Sequence, residues 1–108
     1  MSKHDNIVRN LVQRLKDSYI AYDYVGYEEE YYSRKTGHGE CDVYAVYKNN
    51  LLCFEVKSTD TKSAESKAKH QLDKDKCYFG KKYHVNKVYK FYVYGEGQKN
   101  RYEIRRIK

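Results

Sequence analysis

The chain has no tryptophan and no proline, and only three cysteines and six glycines among its 108 residues. Each shortage excludes something. Without proline or a glycine-rich tract there is no stiff or flexible linker to divide the chain, so 1–108 reads as a single domain, in keeping with the ~100–150 residues typical of one. Three cysteines at wide spacing (Cys41, Cys53, Cys77) cannot form a closed disulfide framework and do not match zinc-ligand spacing, which favours reduced thiols and a cytoplasmic location. Long apolar runs are missing too. No stretch approaches the ~20 apolar residues of a membrane span, and the polar start from Met1 to Asp5 lacks the apolar core of a signal peptide. A chain of this length is expected to bury ~65% of its unfolded surface, enough for one core without staples.

What is abundant is positive charge and tyrosine. Lys and Arg number 22 against 15 Asp and Glu, a formal charge of +7, and there are 14 tyrosines. Excess positive charge favours an anionic partner, nucleic acid ahead of a membrane surface. The basic stretch from Lys62 to Lys76 offers only Ala64, Ala68 and Leu72 as an apolar face, too thin for membrane insertion.

Hydrophobic periodicity gives the elements. Ile7, Val8, Leu11, Val12 and Leu15 recur at helical spacing and predict a helix from about Lys3 to Asp17. Tyr19 to Gly26 reads as a strand, and Tyr27 to Gly39 as a mobile loop whose start can extend that strand. Asp42–Lys48 and Leu51–Lys57 form two strand-like runs around Asn49-Asn50, a pair that tolerates a tight turn. A second helix follows from about Lys62 to Phe79, with Ala64, Ala68, Gln71, Leu72, Asp75 and Phe79 along one stripe and Thr61 or Ser63 as cap. Strands at Lys87–Tyr94 and Arg101–Ile107, around a turn from Gly95 to Asn100, complete an α-β-β-β-α-β-β order, a mixed α/β domain.

The hairpin concentrates the chemistry. A turn at Asn49-Asn50 opposes Tyr47 to Leu52, Ala45 to Phe54 and Val43 to Val56 on one face, with Tyr44 opposite Glu55 and Asp42 opposite Lys57 on the other. In that register Cys41 points toward the core and Cys53 toward the charged face. Glu40, Asp42, Glu55 and Lys57 then gather at the open end of the hairpin. Asp42 and Glu55, as diagonal neighbours, are within reach of one cation. Mg²⁺ asks for one or two carboxylates, with water and phosphate oxygens completing its shell, and the Val56 carbonyl offers one more oxygen. The Lys57 ammonium beside such an ion can orient a water or steady developing negative charge. The bland alternative is a solvated, salt-bridged strand face. Against it, the same face carries Tyr44, Val46, Leu51 and Cys53, and the charges cluster at one end of the hairpin.

Glu40-Cys41-Asp42, a gap of 12 residues, and then Glu55-Val56-Lys57 resembles the motif of the PD-(D/E)xK nuclease superfamily. The resemblance covers roughly Lys3 to Phe79. Within the superfamily the small basic chain looks most like archaeal and archaeal-viral Holliday junction resolvases. It implies a restriction-endonuclease-like mixed sheet, with Asp42 and Glu55 (and the Val56 carbonyl) as metal ligands and Lys57 as catalytic lysine. Gln71 matches a glutamine found on the following helix in some branches, and Glu40 belongs to the catalytic group. It further implies Mg²⁺, with Mn²⁺ as substitute, a branched DNA substrate and a homodimer. Such resolvases usually carry a glutamate on the first helix, and this helix has none; Asp5, His4 and Glu40 are the candidates to stand in. A nuclease-like module that binds nucleic acid without cutting it is the alternative.

Around this centre Arg34, Lys35, His38, Lys62, Lys67 and Lys69 suit phosphate contacts, as do further lysines on the second helix and the basic end of the chain from Arg105 to Lys108. Tyr31 and Tyr32 are candidates to stack on unpaired bases, although tyrosine also fills half-buried strand positions. No nucleophile-elbow serine and no phosphate-binding glycine loop is present in the sequence.

Overall fold

The apolar side of the first helix, α1 (Lys3–Lys16), decides where it lies. Ile7, Val8, Leu11, Val12 and Leu15 are all buried, and Ser2 caps the helix by accepting the Asp5 amide at 3.1 Å. In the computed structural model, which describes residues 2–96 and 101–108, this face packs on Val43, Ala45, Phe54, Val56 and Val93. Those residues come from one side of a five-stranded sheet made of β1 (Tyr24–Ser33), β2 (Gly37–Tyr47), β3 (Asn50–Lys57), β4 (Lys87–Glu96) and β5 (Arg101–Ile107). The second helix, α2 (Lys62–Lys82), starts at a Thr61 cap and covers the opposite side. There Ala68, Leu72 and Phe79 meet Tyr44, Val46, Leu51, Cys53 and Tyr92. The result is a three-layer α/β/α arrangement with the central strands buried on both faces.

Strands lie in chain order, β1-β2-β3-β4-β5, antiparallel except for the parallel pair β3 and β4. A parallel pair needs a long crossover, and α2 is that crossover. The end of β3 at Lys57 and the cap of α2 at Thr61 therefore sit together where the sheet meets the start of α2.

Several expectations from sequence are corrected. The strand expected at Tyr19–Gly26 begins only at Tyr24. The expected loop of Tyr27–Gly39 is instead strand on both sides of a turn at 34–36. Its edge strand β1 carries three consecutive glutamates, Glu28 to Glu30, so charge density was mistaken for absence of structure. The β2–β3 turn falls on Lys48 and Asn49, with Lys48 at φ 53°, and not on Asn49-Asn50. Tertiary contacts fix it there: the Lys48 amide donates to Asp23 at 2.7 Å, and the Asn49 carbonyl accepts from Asn86 at 2.8 Å. The register consequently moves by two residues. Val43 opposes Phe54, and Tyr44 opposes Cys53 in place of Glu55. A shift of two preserves the faces, so the assignment of core positions survives. For the final hairpin, Gly95 and Glu96 belong to β4, and the remainder of the expected turn, 97–100, lies outside the described residues.

The alternation of faces fails at one place. Glu28 takes φ 48°, and neither it nor Asp42, which would face it, has a partner in the β1–β2 ladder. Beyond that break Cys41 joins Tyr44 and Cys53 in the cluster under α2, so both buried cysteines face the same helix. Cys41 and Cys53 were expected on opposite faces.

Candidate active site

Regular pairing of β2 with β3 ends at Val43 and Phe54. The next opposed residues are Asp42 and Glu55, and there the side chain replaces the strand: Asp42 Oδ2 accepts the Val56 amide at 2.8 Å. The register correction thus brings Asp42 directly across from Glu55, closer than the diagonal relation expected from sequence. A recess of about 340 Å³ opens at this point, lined by His4, Glu40, Asp42, Glu55, Val56, Lys57, Ser58 and Gln71.

Each element contributes one side of it. The sheet supplies the acids, and both carboxylates are nearly buried, at 7% exposure for Asp42 and 6% for Glu55. Lys57 follows on the same face of β3, with Nζ 3.7 Å from Glu55 Oε2. The first turn of α1 brings His4, whose Nε2 lies 3.5 Å from Asp42 Oδ1. From α2 comes Gln71, whose Nε2 donates to Asp75 Oδ1 at 2.9 Å and contacts the Tyr31 hydroxyl at 3.3 Å. Tyr31 in turn donates to Asp75 at 2.5 Å. With its nitrogen held by these two, Gln71 has its amide oxygen left for the recess.

The electrostatics follow from two acids in one buried place. Burial, then the Asp42 carboxylate beside it, pushes Glu55 well above the ordinary carboxylate range, and Lys57 only partly opposes this. Burial would raise Asp42 as well, but hydrogen bonds from His4, Glu55 and the Val56 amide outweigh it, and Asp42 is lowered. His4 is raised, chiefly by its bond to Asp42. Glu40, at the rim, is raised by partial burial and by Asp42. Further in, burial lifts Asp75 to about 6 against the hydrogen bonds from Tyr31 and Gln71.

Whether the recess suits a hard cation turns on its unsatisfied atoms. Among the described residues no three His, Cys, Asp or Glu side chains form a ready-made cage. Glu55 Oε1, however, is buried without a hydrogen-bond partner there, an acceptor whose desolvation nothing in the chain offsets. Two opposed carboxylates, one with an orphan oxygen, suit an ion that keeps most of its shell as water and substrate oxygen.

All six residues expected at the centre (Glu40, Asp42, Glu55, Val56, Lys57, Gln71) line the recess. The expected phosphate contacts do not. Arg34 and Lys35 are exposed in the β1–β2 turn, His38 is exposed on β2, and Lys62, Lys67 and Lys69 are exposed along α2. Lys69 is engaged with Glu65 at 3.3 Å, and Arg105 is paired to Glu65 and Asp60. Tyr31 is buried, not free to stack on a base, while Tyr32 is 72% exposed. Sequence reasoning missed the Tyr31–Asp75 support of Gln71 and the place of Ser58. An acid on the apolar stripe of α2 was the available sign of the former.

Comparison with known proteins finds no matching family model and no matching curated protein.

Proposed function

We propose that this chain is a Mg²⁺-dependent DNA endonuclease with a restriction-endonuclease-like fold of the PD-(D/E)xK kind, most like the small Holliday junction resolvases. The observation that carries the reading is the meeting of Asp42, Glu55 and Lys57 in one recess, at the point where the Asp42 carboxylate takes over from the β2–β3 ladder. The α-β-β-β-α-β-β order and the net charge of +7 support it.

Asp42, Glu55 and the Val56 carbonyl would hold the ion, which when bound supplies Lewis-acid polarisation of the scissile phosphate and charge neutralisation. The chain does the rest. His4 fixes the orientation of Asp42 from α1, standing in for the helix-one acid that resolvases of this kind carry. Lys57 positions the attacking water and stabilises charge gathering on the phosphate oxygens. The Gln71 amide oxygen, held toward the recess by Asp75 and Tyr31, accepts a hydrogen bond from that water. Water oxygen adds to phosphorus as the bond from phosphorus to the departing sugar oxygen breaks; the water gives up one proton to solvent and the departing oxygen takes one from solvent, so the sum is one water consumed. No covalent intermediate with the protein forms. Two opposed cuts across a branch would need two sites, hence a homodimer.

One observation favours a second reading, a module that binds nucleic acid without cutting it: the α1 position at the site is His4, not a carboxylate. Purified protein with Mg²⁺, then with Mn²⁺, offered a four-way junction, a linear duplex and a single strand separates the two. Metal-dependent cutting that Asp42→Asn abolishes is expected. Binding without cleavage in either metal would establish the second reading, and equal cutting by the variant would remove the proposed metal site.

A further inference from the structure

A second depression, about 380 Å³, lies on the same side of the sheet as α2 and is lined by Tyr32, Lys35, Cys77, Tyr78, Lys81 and Lys82, with Ser33 between them. Its volume is within the range of small-ligand pockets. No acid lines it. Lys82 is held by Glu29 at 3.2 Å, whereas Lys35 and Lys81 have no ion-pair partner among the described residues.

The aromatic wall is ordered. Tyr78 stacks on Tyr31 with ring centroids 4.2 Å apart and planes 14° apart, and Phe79 meets both rings edge-on at 5.0 and 5.6 Å. Tyr31 is itself pinned by its hydroxyl bond to Asp75. Tyr32, the next residue, remains 72% exposed, which is hard to explain as packing. Flat rings with lysine ammoniums around them are the elements with which proteins hold unpaired bases and their phosphates. A closed duplex presents the phosphates but keeps its base faces stacked inside.

The depression is tied to the recess through shared parts. Gln71 lines the recess and Tyr78 the depression, about two turns further along α2, or ~10 Å. Tyr31 touches both, through its hydroxyl and its ring.

We propose that this depression is a binding site for an unpaired DNA strand, with a base stacked against Tyr32 and Tyr78 and its flanking phosphates on Lys35 and Lys81. Resting on the nuclease reading, it makes the substrate a duplex with a single-stranded or opened segment beside the cut. The class of ligand is a single-stranded polynucleotide, recognised by base faces and backbone charge and not by sequence.

Binding without metal tests this separately from cleavage. The full chain in EDTA is titrated into a short single strand carrying a central 2-aminopurine, and into the same sequence as a duplex. Tighter binding of the single strand with a change in 2-aminopurine fluorescence is expected. Tyr32→Ala, at an exposed position, is expected to weaken single-strand binding by about fivefold to a hundredfold and to remove the fluorescence change. Lys35→Glu with Lys81→Glu is expected to weaken it comparably and flatten its salt dependence. Thermal midpoints matching the native chain establish that the variants fold. Equal affinity for single strand and duplex, or unchanged single-strand binding by Tyr32→Ala, would overturn the proposal. A native chain that cuts with Mg²⁺ yet gives no fluorescence change on the single strand would remove this site and leave the recess as nuclease; a fluorescence change without cutting would do the reverse.

Discussion

Asp42 accepts the Val56 amide at 2.8 Å, so a side chain from β2 completes the hydrogen bonding of β3 just where the two strands stop pairing. The same carboxylate is proposed to hold the metal, which gives it two separable duties. Asp42→Asn keeps an acceptor for the amide and is expected to fold normally while losing cleavage by at least about a hundredfold. Asp42→Ala leaves that buried amide unpaired and is expected to cost a further ~1–3 kcal/mol of stability. Urea titration beside a junction-cleavage assay distinguishes them; equal stability of the two variants would contradict the structural duty.

His4 reaches Asp42 from the far layer, at 3.5 Å, and is itself half exposed. Its removal should therefore act on the site more than on the fold. His4→Ala is expected to lower cleavage or Mg²⁺ affinity by about 10- to 100-fold, as loss of a partner that orients a ligand usually does. The thermal midpoint should change little. Unchanged Mg²⁺ dependence would show that His4 is a bystander.

Asp75 predicts a pH effect on stability. Burial raises its folded-state pKa to about 6, above the ordinary carboxylate value, so the folded state favours the protonated form. Its contribution is complete at pH below the unfolded pKa and is lost as pH rises through about 6. Asp75→Asn cannot ionise. Relative to the native chain, the variant is expected to gain about 2 kcal/mol between pH 4 and pH 7. Paired unfolding curves at those pH values check the sign, and a constant difference would rule it out.

Gly39 is a steric requirement. A Cβ there would stand 2.5 Å from the ring of Tyr31, whose hydroxyl supports Gln71 through Asp75. Gly39→Ala is expected to destabilise the chain by ~1–3 kcal/mol through overpacking and to depress cleavage by displacing Tyr31. Nothing lies within 4 Å of the corresponding position at Gly80 in α2. Gly80→Ala is expected to raise stability by up to ~1 kcal/mol. Thermal midpoints of opposite sign check both.

The element order and the grouping of Glu40, Asp42, Glu55 and Lys57 were legible because they depend on local patterns: helical spacing in α1 and α2, and alternation in β2 and β3. Register was not. It turned on Asp23 and Asn86, distant in sequence, fixing the turn at Lys48 and Asn49. The error was two residues, which is why the faces survived within the ladder while every opposed pair changed, bringing Asp42 across from Glu55. The β1–β2 hairpin was hidden by its glutamates, since an edge strand with a polar side has no hydrophobic signature to read. Tyr31 could not be placed either, because its burial depends on Gly39 opposite and Asp75 on another element.

One helix, α2, reaches both depressions, and a helix has a fixed pitch. On the proposed reading the interval from Tyr78 at the gripped base to Gln71 beside the cut phosphate is set by rigid helix backbone. Its ~10 Å is near the rise of three stacked nucleotides in one strand. The protein would thus carry a built-in ruler. Lengthening α2 by a single residue between Gln71 and Tyr78 would turn one depression by about 100° relative to the other, so the place of the cut and the place of the grip could change only together.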